Sequence, residues 1–173
     1  MKLLLLRFID ICLLRAGPQD LPASTVLLTL TLIAYSTAGL LLSLVSTSLT
    51  NALLLVVADV LLLAGLAYLI LWIRLLTARF LQTLTALTGT GAILEFSIWP
   101  VLYWQQLSVA TNGPGLLIAS LLLWVWLFWN IAVVGHILRH TLSTTFFNGA
   151  LLSLLYMFIS ISVVRTLFYS SAS

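Results

Sequence analysis

Long apolar stretches broken by short polar turns set the pattern of this chain. They run over about 23–46, 52–73, 80–104, 115–137 and 146–168. A helix needs about 20 predominantly apolar residues to cross the hydrocarbon core of a bilayer, so the pattern predicts five spans joined by tight turns. Ahead of them, residues 1–16 mix a leucine run at 3–6, Phe8, Ile9 and Ile11 with Lys2, Arg7, Asp10 and Arg15. That segment is too short and too charged to cross. At about 100° per residue Arg7 and Asp10 share a polar stripe while Arg15 points away. The expectation is an interfacial amphipathic helix with its basic side chains toward the headgroups. The alternative is a helix packed under the bundle with its charges snorkelling.

Between the two regions lies an elbow at 17–24, Gly-Pro-Gln-Asp-Leu-Pro-Ala-Ser. Gly17 suits a helix C-terminal cap, and Pro18 cannot continue the helix. Asp20 is expected to accept hydrogen bonds from the free amides that open the next helix, and Pro22 is tolerated in a first turn.

Composition turns the pattern into a class. Of 173 residues, 62% are hydrophobic and 6% charged, with a mean hydropathy of +1.23. Soluble domains carry about 25% charged residues, so a soluble fold could not cover its surface with this sequence. The expected fold is all-α, a polytopic transmembrane helical bundle, with an interfacial helix at 1–16, the elbow at 17–24 and the five-helix bundle at 25–173. A formal charge of +3 is too small to point to nucleic acid, and its placement says more. Lys2, Arg7 and Arg15 precede the first span, Arg74 and Arg79 lie between the second and third, and Arg139 lies between the fourth and fifth. The alternate loops at 46–51 and 105–114 hold no Lys or Arg. The positive-inside rule then puts the N-terminus in the cytoplasm and the C-terminus outside, with Arg165 as the one basic residue on the far side. Cys12 is the single cysteine, so no intrachain disulfide is available. Asp10 and Ile11 before it argue against a lipoprotein site, and the interrupted apolar run argues against a cleaved signal peptide.

Only two carboxylates lie within spans, Asp59 and Glu95. Counted from the outer ends of their spans, both sit some 12–14 Å deep at about 1.5 Å per residue. Ser36 and Thr37 of the first span fall at a similar level. Intramembrane carboxylates are costly and mark functional sites by default, so one reading is a proton or cation site using Asp59 and Glu95. The other is a structural polar layer, with an acid bonded to Ser36, Thr37 or Tyr35, or Glu95 paired with Arg165. His136 and His140, four apart, share a helix face, but two histidines with no carboxylate or cysteine nearby in sequence specify little as metal ligands. Trp124, Trp126 and Trp129 fall near the middle of the fourth span and are expected to pack against small residues of neighbouring spans. No phosphate-cradling loop, zinc-protease motif or nucleophile elbow is present. Nothing in the sequence calls for a cofactor, a resident metal or a catalytic residue.

Arg15, Gly17, Pro18, Asp20, Leu21, Pro22 and Ser24 are similar to an Arg-x-x-Pro-x-Asp-Leu-Pro-x-Ser pattern. With a cytoplasmic N-terminal segment and five closely spaced spans, the chain resembles small bacterial members of the Yip-domain membrane proteins. The resemblance implies a five-helix bundle in a bacterial inner membrane, with its C-terminus periplasmic. It also implies a non-enzymatic role as a scaffold or accessory subunit. A small oligomeric channel or a proton- or cation-coupled transporter is the alternative. Eukaryotic relatives carry a longer cytoplasmic region and act with small GTPases, a role this short N-terminal segment does not support. The expected partners are the lipid bilayer and other membrane proteins or further copies of the chain. A membrane enzyme acting on lipid near His136 and His140 ranks last.

Overall fold

The computed structural model describes residues 2–111 and 115–169. Within them the chain is all helix and turn, with no strand. The helices are α1 (Lys2–Cys12), α2 (Thr25–Leu44), α3 (Leu49–Ile73), α4 (Phe80–Thr111), α5 (Leu116–Leu142) and α6 (Phe146–Tyr169). Four of them, α2, α3, α5 and α6, are long and apolar enough to cross a membrane. The fourth helix runs past the expected end of its span and through Pro100 to Thr111. Positions 112–114 of the expected loop, and the tail from 170, lie outside the described residues.

The bundle is built around α4, which packs on α1, α2, α3 and α5, while α6 packs on α5 and α3. Every residue from 83 to 90 of α4 is buried, including Thr83, Thr85, Thr88, Thr90 and Gly89. A helix covered on all sides by other helices gains nothing from being strongly apolar. It gains from small side chains that admit close neighbours and from hydroxyls that bond locally or across. Thr88 donates to Thr31 of α2 (2.9 Å), and Thr31 donates on to the Leu28 carbonyl (3.0 Å). Thr90 returns its hydroxyl to the Ala86 carbonyl (2.7 Å). Many large apolar side chains are turned outward, as on α3, where Leu54, Val57, Leu61 and Ile73 are exposed while Leu63 and Leu71 stay in the core. Backbone meets backbone where α5 crosses α6. A Cβ on Gly135 would sit 2.9 Å from the Ala150 nitrogen, and one on Gly149 would strike the Gly135 carbonyl.

The N-terminal helix docks on this core. Phe8, Ile11 and Cys12, spaced i, i+3, i+4, are buried, the Phe8 ring lies against Gly89, and the Cys12 thiol faces the Thr90 carbonyl. Leu3, Leu5, Leu6 and Leu13 on its other side are exposed. Burial pushes the Cys12 thiol up to about 11, so it behaves as a small apolar group.

The elbow works differently from the sequence expectation. α1 ends before Gly17, at Leu14, whose φ of 61° is left-handed. The Arg15 amide reaches back to the Asp10 carbonyl (2.8 Å), the six-residue return of a Schellman-type end. Gly17 is extended and leads into a 3₁₀ turn at Pro18–Asp20. The Asp20 carboxylate turns backward to accept from the Gly17 amide (2.8 Å). The cap of α2 is Ser24, which accepts from the Leu27 amide (3.4 Å). Pro22 stays ahead of the helix. A hydroxyl directly before the first helical residue outcompetes a carboxylate four positions earlier, because only the former lies within reach of the second and third amides.

Candidate functional site

Asp59, midway along α3, is the meeting point of three helices. One carboxylate oxygen accepts from the Tyr35 hydroxyl of α2 (2.5 Å), the other from the Tyr156 hydroxyl of α6 (2.6 Å). Each tyrosine brings a partly buried ring and a hydroxyl that needs an acceptor in an apolar surrounding. An acid side chain between them offers each hydroxyl its own oxygen and so satisfies both.

Glu95 flanks the same cluster from α4. The Tyr35 ring packs on Gly91, where an added Cβ would lie 2.7 Å from the ring edge. One turn further along both helices, Glu95 faces Gly39, and a Cβ there would lie 3.5 Å from Oε2. Glu95 Oε2 is buried and has no hydrogen-bond partner among the described residues. The two acids thus bracket Tyr35, Asp59 with both oxygens bonded and Glu95 with an oxygen that has no partner among the described residues. An all-oxygen set of this kind, without a bonded Lys or Arg, can hold a proton or a hard cation, or can simply join helices.

The other residues singled out by sequence lie elsewhere. Ser36 and Thr37 face a groove between α2 and α3 lined by Ile33, Val57 and Leu61, and Thr37 spends its hydroxyl on the Ile33 carbonyl (2.8 Å). Arg165 is exposed on α6, nine residues beyond Tyr156 and so roughly 13 Å along the axis. Tyr156 was missed in the sequence reading. Its signal was a lone tyrosine inside an apolar stretch, a hydroxyl that must find an acceptor across the bundle.

His136 and His140 belong to the elbow end. His136 is buried, and its Nε2–H donates to the Ala16 carbonyl (2.9 Å). That bond fixes the proton on Nε2, and the ring contacts His140 edge-on with centroids 4.6 Å apart. No group of three or more metal-ligating side chains occurs among the described residues. The same end is tied by Gln82 Nε2 donating to the Leu21 carbonyl (2.9 Å). Arg79 Nη1 donates to the Thr141 carbonyl (2.6 Å) and to Ser143 Oγ (3.3 Å), which caps α5 with a cation at its C-terminus. Of the three tryptophans on α5, Trp126 is partly buried and donates to the Leu94 carbonyl of α4 (3.0 Å). Trp124 and Trp129 are exposed. They therefore face the surroundings of the bundle rather than the small residues of neighbouring helices. No family model matches the chain, and no curated protein or solved structure matches it either.

Proposed function

We propose that the chain is a five-span protein of a bacterial inner membrane, acting as a non-enzymatic scaffold or accessory subunit of a membrane complex. In this reading α4 is the fifth span. It is long enough to cross, and it is less apolar than its neighbours because those helices, and not lipid, cover its stretch at 83–90. The basic elbow end faces the cytoplasm, the C-terminus is periplasmic, and α1 lies at the cytoplasmic interface with its exposed leucines toward lipid. The elbow pattern keeps the Yip-like assignment as part of the proposal. The observation that carries the scaffold role is the state of Asp59. Both its oxygens are taken by tyrosines from two other helices, so the acid holds the bundle together and leaves the exposed aromatic face of Trp124 and Phe128 for partners.

The test is Asp59→Leu in the full chain. It removes two bonds between helices, each worth about 0.5–1.5 kcal/mol, and the expected result is a bundle that unfolds at lower denaturant and loses cross-linked, co-purified membrane proteins. Unchanged stability would remove the scaffold argument. One observation favours a second reading, a proton or cation site: the unpartnered oxygen of Glu95. Reconstituted ion flux that disappears in Glu95→Gln, with the bundle intact, would put that reading first.

A further inference from the structure

At the elbow end a cavity of about 200 Å³ opens between the 3₁₀ turn, the start of α4 and the end of α5. Gln19, Arg79, Gln82, Thr83, His140 and Ser143 are among the residues lining it. Its polar groups are unequally committed. One N–H of the Gln82 amide is given to Leu21, and the Thr83 hydroxyl is engaged by Arg79 and Thr141. Arg79 is exposed, and among the described residues it uses only Nη1. The remaining three of its five N–H donors, on Nη2 and Nε, are free to bond a ligand. Ser143 Oγ accepts from Arg79, which leaves its own proton to donate. Gln19 is exposed with its amide folded over Gly17, and His140 adds a ring nitrogen. The one nearby carboxylate, Asp20, has an oxygen turned to the Gly17 amide.

A fixed guanidinium with spare forked donors, a hydroxyl and an imidazole in one cavity is the donor set for a phosphate group. The surroundings bear on its source. Trp72 and Ile73 at the end of α3, and Leu75 in the turn that leads to Arg79, are exposed, Leu75 to 89%. Apolar and aromatic side chains beside a basic residue mark headgroup depth in a bilayer. Basic pockets between membrane helices bind anionic headgroups.

We infer that this cavity is a binding site for a phosphate-bearing anion, supplied by the headgroup of an anionic phospholipid. It rests on the chain's membrane placement and not on the scaffold role. A headgroup seated there would bridge the elbow, α4 and α5, adding an external tie to the end already held by Arg79 and His136.

The experiment compares phosphatidylglycerol, phosphatidylcholine and inorganic phosphate added to the purified full chain, read by lipid-bound mass spectra and by melting temperature. Phosphatidylglycerol is expected to bind about ten-fold more tightly than phosphatidylcholine and to raise the melting temperature. Gln19→Glu places a negative charge at the mouth without removing an internal bond, and His140→Ala removes a donor. Each should erase the preference, and an unchanged melting temperature for Gln19→Glu in lipid-free detergent serves as its fold control. Arg79→Ala also uncaps α5, so it is not the deciding variant. Inorganic phosphate at millimolar concentration reproducing the stabilisation in detergent would keep the phosphate site and make its ligand the free ion. Equal binding of the two lipids with no effect of phosphate, or a preference that survives Gln19→Glu, would overturn the proposal.

Discussion

α3 and α4 follow one another in the chain and are opposite in character. α3 shows leucine, isoleucine and valine to the outside and keeps one acid inward, at the tyrosine pair. α4 has four threonines, a glycine and an alanine beside only two leucines in its buried stretch at 83–90, and it packs on four helices. In water the buried element would be the more apolar of the two. Here the order is reversed, because lipid is as apolar as leucine and provides no drive to bury it. What remains to hold helices together is close packing and hydrogen bonds, and those are concentrated on α4.

The contrast can be broken position by position. The largest effect is expected from Gly89→Leu, since its side chain must displace the Phe8 ring. Overpacking of this kind costs about 1–3 kcal/mol and should undock α1 while the bundle survives. The lone cysteine reports it. Docked, the Cys12 thiol sits at about 11 and is almost wholly protonated at pH 8. Released toward its ordinary value near 8.5, it should react with maleimide roughly two orders of magnitude faster. The sign follows from burial disfavouring the thiolate, and equal labelling rates would leave α1 without a docked state. A smaller loss, about 0.6–1 kcal/mol, is expected for Thr88→Val, which deletes the bond to Thr31; unfolding of the purified protein in mixed micelles measures it. Thr85→Val should move in the other direction. Its hydroxyl is buried with no partner among the described residues, so removing it is expected to stabilise by up to about 1 kcal/mol. Leu61→Ala on the outer face of α3 is expected within about 0.5 kcal/mol of the parent. If it cost as much as Thr88→Val, the inside-out contrast would fail.

Much of this was legible in the sequence. Apolar length alone yields α2, α3, α5 and α6, and the depth count brings Asp59 and Glu95 to one region. The partners of Asp59 were less accessible. Ser36 and Thr37 matched it in depth, but depth carries no azimuth, and the helix turns both toward the α2–α3 groove while Tyr35, one residue earlier, turns inward. Tyr156 lies 97 positions from Asp59, and only packing brings α6 against α3. The elbow misled for a local reason. Gly17 and Asp20 are the residue types of caps, yet Leu14 took the left-handed position and Ser24 lay nearer the free amides.

The bond between His136 and the Ala16 carbonyl joins residues 120 positions apart. During synthesis, at roughly 5–20 residues per second, the stretch between them takes on the order of ten seconds to emerge. α1 is therefore made well before its seat is complete. Until α4 has emerged, its apolar face of Phe8 and Ile11 has no Gly89 to rest on, and the membrane surface is the natural place for it to wait.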